Sequence, residues 1–313
     1  MYDSIGALNT LKTFFDRLAQ AGIRIVEFNP INPLELKKPW AVNNRDHRKL
    51  LIVDGHTAFL GGINISSVYS NGSAVRGSDV PSDLTKGWRD TDVRIVGPAV
   101  SEFERLFVET WGKQHGPPLP PRDSKPVAPA GKDIVRAIGS TPDDAYSMIY
   151  LTLISAITNA QLQVYLINAY FVPDPQLIKA LVDAAGRGVD VRLILPSRSD
   201  SAAAFYAGRQ HYAELLEGGV KIYERQGALL HAKTAAVDGV WSCVGSSNLD
   251  WRSALDNDEI NAVILGREFA QQMQSAYAAD LAASKQIDLT QWKQRSWLLR
   301  ARERFAQMWA RLL

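Results

Sequence analysis

The sequence predicts an α/β protein of two pseudo-symmetric α/β/α domains with mixed sheets, the first lacking its N-terminal strands and helices. Three observations carry this expectation. The pattern His-x-Lys-x4-Asp-x6-Gly-Gly/Ser-x-Asn occurs twice with the same spacing, at His47, Lys49, Asp54, Gly61, Gly62 and Asn64, and at His231, Lys233, Asp238, Gly245, Ser246 and Asn248. A helical stretch, a glycine and a short apolar strand precede both copies: residues 11–20, Gly22 and 23–28 in the first, 203–216, Gly219 and 220–223 in the second. Between the copies, residues 117–132 hold six prolines and no apolar periodicity, which reads as an extended linker.

A chain of 313 residues exceeds what one core usually serves. The expected division is a first domain at 1–116, the linker at 117–132, a second domain at 133–285 and a basic amphipathic helix at 286–313. In the first domain the helix at 11–20 is followed by a hairpin, 49–53 and 57–60, around Asp54-Gly55. Residues 71–87, rich in Gly, Ser, Asp and Pro, then interrupt the repeat; such an insertion beside a site is a candidate lid, with a solvated loop as the default reading.

The second domain opens with a helix at 148–160, a strand at 162–169, a helix at 175–187 and a strand at 189–195. The helix at 203–216, the strand at 220–223 and a hairpin, 233–237 and 240–244, around Asp238-Gly239 complete it. Nothing in the first half corresponds to its first four elements. The chain is therefore expected to begin inside its first domain, by a late start or by truncation, leaving unpaired backbone and apolar surface around His47. The opening residues do not read as a signal peptide or transmembrane helix. The uncharged stretch 145–173 is long enough to span a bilayer, but Asn159, Gln161, Gln163 and Asn168 break it, and a helix followed by a buried strand explains it better.

The repeated motif carries the chemistry. Residues two apart on a strand share a face, so His47 and Lys49 point the same way, as do His231 and Lys233. A cation at the mouth of an apolar strand needs a partner, and a substrate phosphate would be one. Two imidazoles, two ammonium groups and two amides form the set that breaks a phosphodiester without metal: a nucleophile, a proton donor and cations for the phosphoryl oxygens. Asn64 and Asn248 follow the second strand of each hairpin, where they could cap a helix or hydrogen-bond a phosphate. The Asp-Gly turns give Asp54 and Asp238 a structural role first.

Composition narrows the substrate. A net charge of +2 lacks the basic excess of a non-specific nucleic-acid binder, so no nucleic-acid partner is expected. One cysteine and five scattered histidines give no metal-ligand spacing, and no cofactor is expected; Cys243 reads as a small buried apolar residue. The tail from Trp292 carries Lys293, Arg295, Arg300, Arg302, Arg304 and Arg311 against Glu303 alone, while Leu298, Ala301, Phe305, Met308, Trp309 and Leu312 recur at helical spacing. Such a helix suits an anionic bilayer surface, or packs its apolar face on the protein; periodicity does not choose between them.

The paired motifs resemble the signatures of the phospholipase D superfamily. The stretches NAYFVPDPQLIKALVDAAGRGVDVRLILPSRSDS and LLHAKTAAVDGVWSCVGSSNLDWRS resemble, more narrowly, bacterial cardiolipin synthases of that superfamily. The resemblance implies two phospholipase D-like domains, a covalent phosphohistidine mechanism in the cleft between them, and a catalytic set of His47, Lys49, Asp54, His231, Lys233 and Asp238. It gives attack to His47 and acid work to His231, and phosphate binding to Asn64, Ser246 and Asn248. Aligning RDTDVRIVG with NDEINAVILG sets Asp90 opposite Glu259, where the family pattern puts a carboxylate that pairs with the imidazole. Such a carboxylate is expected to fix the tautomer and raise the histidine pKa. Gly62 in place of Ser246 is expected to cost one hydroxyl donor on that side. The implied reaction is phosphatidyl transfer from one phosphatidylglycerol to the headgroup hydroxyl of another, releasing glycerol, peripherally on the cytoplasmic membrane. A phosphodiesterase hydrolysing phospholipid or nucleic acid, or an inactive fragment, are the alternatives, and phosphatidylethanolamine remains open as second lipid.

Overall fold

The computed structural model describes residues 1–30, 43–69, 87–120 and 127–312. The expected lid at 71–87 lies, but for Gly87, outside the described residues, as does the centre of the linker at 121–126.

The first half contains β1 (Tyr2–Asp3), α1 (Lys12–Gln20), β2 (Glu27–Phe28), β3 (Arg45–Asp46), β4 (Leu50–Val53), β5 (Thr57–Gly61), β6 (Asp92–Val96) and α2 (Val100–Lys113). The second contains β7 (Ile134–Ser140), α3 (Met148–Asn159), β8 (Gln163–Asn168), α4 (Pro175–Gly186), β9 (Asp190–Pro196), α5 (Ala202–Arg209), α6 (Tyr212–Glu217), β10 (Lys221–Arg225), β11 (Lys233–Val237), β12 (Trp241–Gly245), α7 (Trp251–Leu255), β13 (Asn257–Leu265), α8 (Arg267–Ala282) and β14 (Ser284–Gln286). Two tail helices follow, α9 (Leu289–Lys293) and α10 (Trp297–Gln307).

The second half is built on one mixed sheet in the order β14-β10-β9-β8-β11-β12-β13, with β7 antiparallel along most of β13. Strands β8, β9 and β10 run parallel, joined by helical crossovers, whereas β11, β12 and β13 are antiparallel neighbours. Alternation along β8 sends Val164 and Leu166 to a core shared with α3 and α4, and Ile167 to the opposite face with Tyr277 of α8. In the first half β4, β5 and β6 form an antiparallel sheet. Both hairpins form as expected, each turned by an Asp-Gly pair with both residues at positive φ: 50° and 65° at Asp54-Gly55, 52° and 65° at Asp238-Gly239.

The halves are not separate bodies. Ala58, Leu60, Val93, Ile95 and Phe103 from the first share one apolar cluster with Val244, Ile260, Ala262 and Ile264 from the second. Burying Phe103 completely contributes about 1.5–3 kcal/mol. Two backbone stitches fasten the halves at the motifs. Strand β3 pairs in parallel with the start of β13, and the His47 amide donates to the Asp258 carbonyl at 3.0 Å. Arg89 bridges to Leu230, and the His231 amide donates to the Arg89 carbonyl at 2.8 Å.

Several expectations are corrected. The helix at 203–216 is two, α5 and α6, the chain tightening between them through the Gln210 and His211 amides bonded three residues back; Gly208, in the last turn of α5, lets the Phe171 carbonyl oxygen approach to where a Cβ would stand 2.0 Å from it. The strand at 23–28 shrinks to β2, paired with β1. The boundary at 285 falls inside β14, which extends the large sheet. The single tail helix is broken at Ser296, whose hydroxyl accepts from the Leu298 amide. Strand β4 pairs with β5, and among the described residues no strand covers its other edge, where β8 covers the equivalent β11. Leu51 and Val53 are correspondingly 58% and 41% exposed, while β11 is buried throughout.

Candidate active site

Each stitch delivers a carboxylate to the opposite half's histidine. Asp258 and Glu259 leave β13 beside His47, whose Nδ1 lies 3.0 and 3.1 Å from the two Glu259 oxygens. Arg89 and Asp90 pass beside His231, whose Nδ1 lies 2.8 Å from Asp90 Oδ2. The expected His–carboxylate pairs form, and they are crossed: the first repeat's acid serves the second repeat's imidazole, and conversely. With Nδ1–H donated to the carboxylate, Nε2 is the lone-pair nitrogen available for attack or proton transfer.

The site is one electrostatic unit. Lys49 and Lys233 each donate to the carbonyl of the histidine in their own motif. Across the cleft, Lys233 depresses His47, and Lys49 depresses His231. Burial dominates these groups: it lowers Lys49 to about 8 and Lys233 to about 7, and takes His231 to about 4 although Asp90 opposes it. His47 is likewise lowered, first by burial, against the pull of Glu259. The expected upward shift is therefore reversed: the carboxylates fix the tautomers, but desolvation sets the protonation state. Burial pushes the Glu259 carboxyl up, but His47, Lys49 and Ser246 together outweigh it and bring it down to about 2.

Three expected assignments change. Ser246 is fully buried and its hydroxyl donates to Glu259 Oε2, while the Ile260 amide donates to Ser246 Oγ at 3.1 Å; it orients the carboxylate instead of facing a phosphate. Ser253 of α7, which no sequence signal singles out, donates to the other oxygen at 2.7 Å. Gly62 is not a lost donor, because a Cβ there would meet Asp90 Oδ1 at 2.3 Å; the Asp90 carboxylate occupies the space a side chain would need.

Asp54 and Asp238 stand in the turns at the far ends of β4 and β11 from the histidines. The Asp238 carboxylate accepts the amides of Gln161, Leu162 and Gln163 at 2.8–2.9 Å, so it fastens the hairpin to the start of β8. Both aspartates are thus removed from the catalytic set by their placement. Asn248 is buried, with a side-chain oxygen that has no partner among the described residues, whereas Asn64 is exposed on the segment leading to the Ser67–Tyr69 turn.

Sequence reading also missed an aromatic enclosure. Trp88, Tyr69 and Tyr170 place their ring centroids 5.0, 6.2 and 6.2 Å from that of His231, and the Tyr69 hydroxyl is 3.1 Å from His231 Nδ1. The His231 side chain is 5% exposed and that of His47 25%. Behind Asp90, Arg89 is bonded through Nε and Nη2 to buried Asp280 at 3.0 and 2.8 Å, and Arg225 holds the same carboxylate at 2.9 Å.

Residues 153–281 match a family model described as "Cardiolipin synthase, PLD-like domain". Over these residues the chain is similar to that phospholipase D-like family. Among its relatives, it is 33% identical over 319 residues to a cardiolipin synthase of Halalkalibacterium halodurans, and 33% identical over 316 residues to one of Geobacillus thermodenitrificans. Each alignment takes in 100% of this chain and 61% of the relative, so the chain spans about three fifths of their length. The fold is similar to that of the phosphatidylserine synthase of Haemophilus influenzae Rd KW20, with a TM-score of 0.59 and 11% identity over 87% of this chain and 70% of that one.

Proposed function

We propose that the chain transfers a phosphatidyl group from one phosphatidylglycerol to the headgroup hydroxyl of another, forming cardiolipin and releasing glycerol. The observation that carries this reading is the crossed site, two imidazoles each tautomer-fixed by the opposite half's carboxylate with a lysine beside each, in a chain similar along its whole length to cardiolipin synthases. His47, the more open imidazole, attacks phosphorus through Nε2. His231 enters the step as the imidazolium, its second proton on Nε2 held by the negative charge that the substrate phosphate brings into the cleft; the P–O bond to the departing glycerol breaks, and that oxygen takes the Nε2 proton, leaving His231 neutral. His231 then takes the proton of the incoming hydroxyl, whose oxygen attacks the phosphohistidine and restores His47.

A phosphate in the cleft brings negative charge to two depressed lysines and holds them protonated, so the ammonium groups oppose the oxygens as charge shifts. Asn248 is the amide best placed to add a hydrogen bond. One phosphodiester replaces another, so no nucleotide is required. The aromatic wall around His231 limits water at the intermediate, which otherwise hydrolyses to phosphatidic acid.

The test is cardiolipin formation from labelled phosphatidylglycerol vesicles by the chain and by its His47→Ala and His231→Ala variants. Cardiolipin lost in both variants, with an acid-labile phosphoryl group trapped on the His47 peptide, is the expected result. Phosphatidic acid as main product would move the reading to a hydrolase, and no turnover of phosphatidylglycerol would remove it.

A further inference from the structure

The tail helix α10 is packed the opposite way from a core helix. Its inner side carries small or paired groups: Ala306, with Ala310 of the short turn that follows, lies against Val172, Ala204 and Ala207, and Glu303, 2% exposed, is bonded through both oxygens to Arg295. Its large apolar side chains face outward instead. Trp297 is 73% exposed, Leu298 55%, Phe305 64%, Met308 77% and Trp309 51%. At helical spacing Trp297, Leu298 and Phe305 share one side of α10, with Arg300 and Arg304 along one border and Arg302 along the other, all exposed; Met308 and Trp309 are exposed in the turn that follows, and Arg311 beyond it lies over the Trp251 ring at 5.8 Å. The only acid between Trp292 and Leu313 is Glu303, which is the one turned inward.

The placement joins this helix to the site. Tyr170 and Trp251 pack on the same cluster as Ala306 and Ala310, and the Tyr170 ring lies 5.9 Å from Lys233 Nζ as well as against His231. Tyr170 therefore links the packed inner side of α10 to the candidate catalytic groups, while the apolar face lies on the helix's outer side. Leu298, Phe305 and Trp309 also line an open groove floored by Ala202, Ala203 and Tyr206 of α5.

We infer that this face of α10 lies in the surface of an anionic phospholipid bilayer and, through the packing of its inner side on Tyr170, holds the chain's candidate site near that surface. Charge selects this occupant: an apolar strip bordered by the three guanidinium groups of Arg300, Arg302 and Arg304, with no exposed acid on the helix, puts Trp and Phe at acyl-chain depth and the arginines at the level of the phosphates. The sequence left open whether the tail packs on the protein or on a membrane; the inward alanines and outward tryptophans decide for the membrane. The inference rests on the lipid-substrate reading above and adds the surface that presents the lipid.

The experiment is co-sedimentation of the full chain with vesicles of phosphatidylcholine, alone or with phosphatidylglycerol added, at low and high salt. Binding about tenfold or more tighter to the anionic vesicles, and weakened by salt, is expected from three arginines. It should fall by a similar factor in Phe305→Ser/Met308→Ser and in Arg300→Gln/Arg304→Gln, both with the parent's thermal midpoint. Turnover of short-chain phosphatidylglycerol, dispersed as monomers, should be unchanged in both. Equal binding by parent and variants, equal binding to neutral vesicles, or a dimer of the parent that Phe305→Ser/Met308→Ser dissolves would overturn the inference. Binding is read without turnover, so an inactive chain that still prefers anionic vesicles would cost the catalytic reading and leave this one standing.

Discussion

Replacing Glu259 by glutamine keeps its size but turns a donor, the amide, toward a group of donors: the His47 Nδ1–H and the hydroxyls of Ser246 and Ser253. The imidazole then loses its fixed tautomer, and turnover should drop by about 10²–10⁴-fold. Circular dichroism should meanwhile report an intact fold. Gly62→Ala should injure the other histidine from outside the motif's polar groups, since its Cβ displaces the Asp90 carboxylate. The pH profile follows from desolvation. In the free protein the lysines lose charge as pH rises through about 7 and about 8, so kcat/KM should decline there, whereas kcat, read with phosphate bound, should hold to higher pH. His231 works on stability with the opposite slope. Its pKa lies near 4 when folded against about 6.5 unfolded. Below pH 6.5 the unfolded chain binds a proton that the folded site refuses, so stability present at neutral pH is lost down to about pH 4, as acid titration of the melting temperature should show.

At the scale of elements, the two hairpins separate structure from chemistry. Asp238→Ala strips three backbone amides of their acceptor and should destabilise the fold by roughly 1–3 kcal/mol, with turnover per folded molecule unchanged, measured by denaturant titration beside a rate assay. The hairpins, α3, α4 and the strands between them are legible in the sequence because each is specified locally, by an Asp-Gly turn, a cap or a periodic apolar face. The motif's histidines and lysines are legible for the same reason, as are the two carboxylates through the internal repeat. What is not legible depends on distant partners. The Phe171 carbonyl takes the space a side chain at Gly208 would need, and the Ser246 hydroxyl is claimed by a glutamate on the next strand. The crossing of the acids depends on two parallel bridges that leave no period in either half.

For the whole molecule, the shared apolar cluster and the stitches make the halves partners in folding as well as in chemistry. A chain cut within 117–132 should give two pieces each inactive alone and active when refolded together, assayed as cardiolipin formation. Activity in either piece alone would contradict the crossed arrangement. That arrangement also has a hereditary consequence. An acid and the imidazole it serves lie 141 residues apart in one case and 212 in the other, always in different repeats. Mutational drift in one repeat is thus exposed to selection through the other's histidine, and compensating changes should accumulate in pairs, position 90 with the surroundings of 231 and position 259 with those of 47. The two copies, alike in sequence, are bound to diverge together.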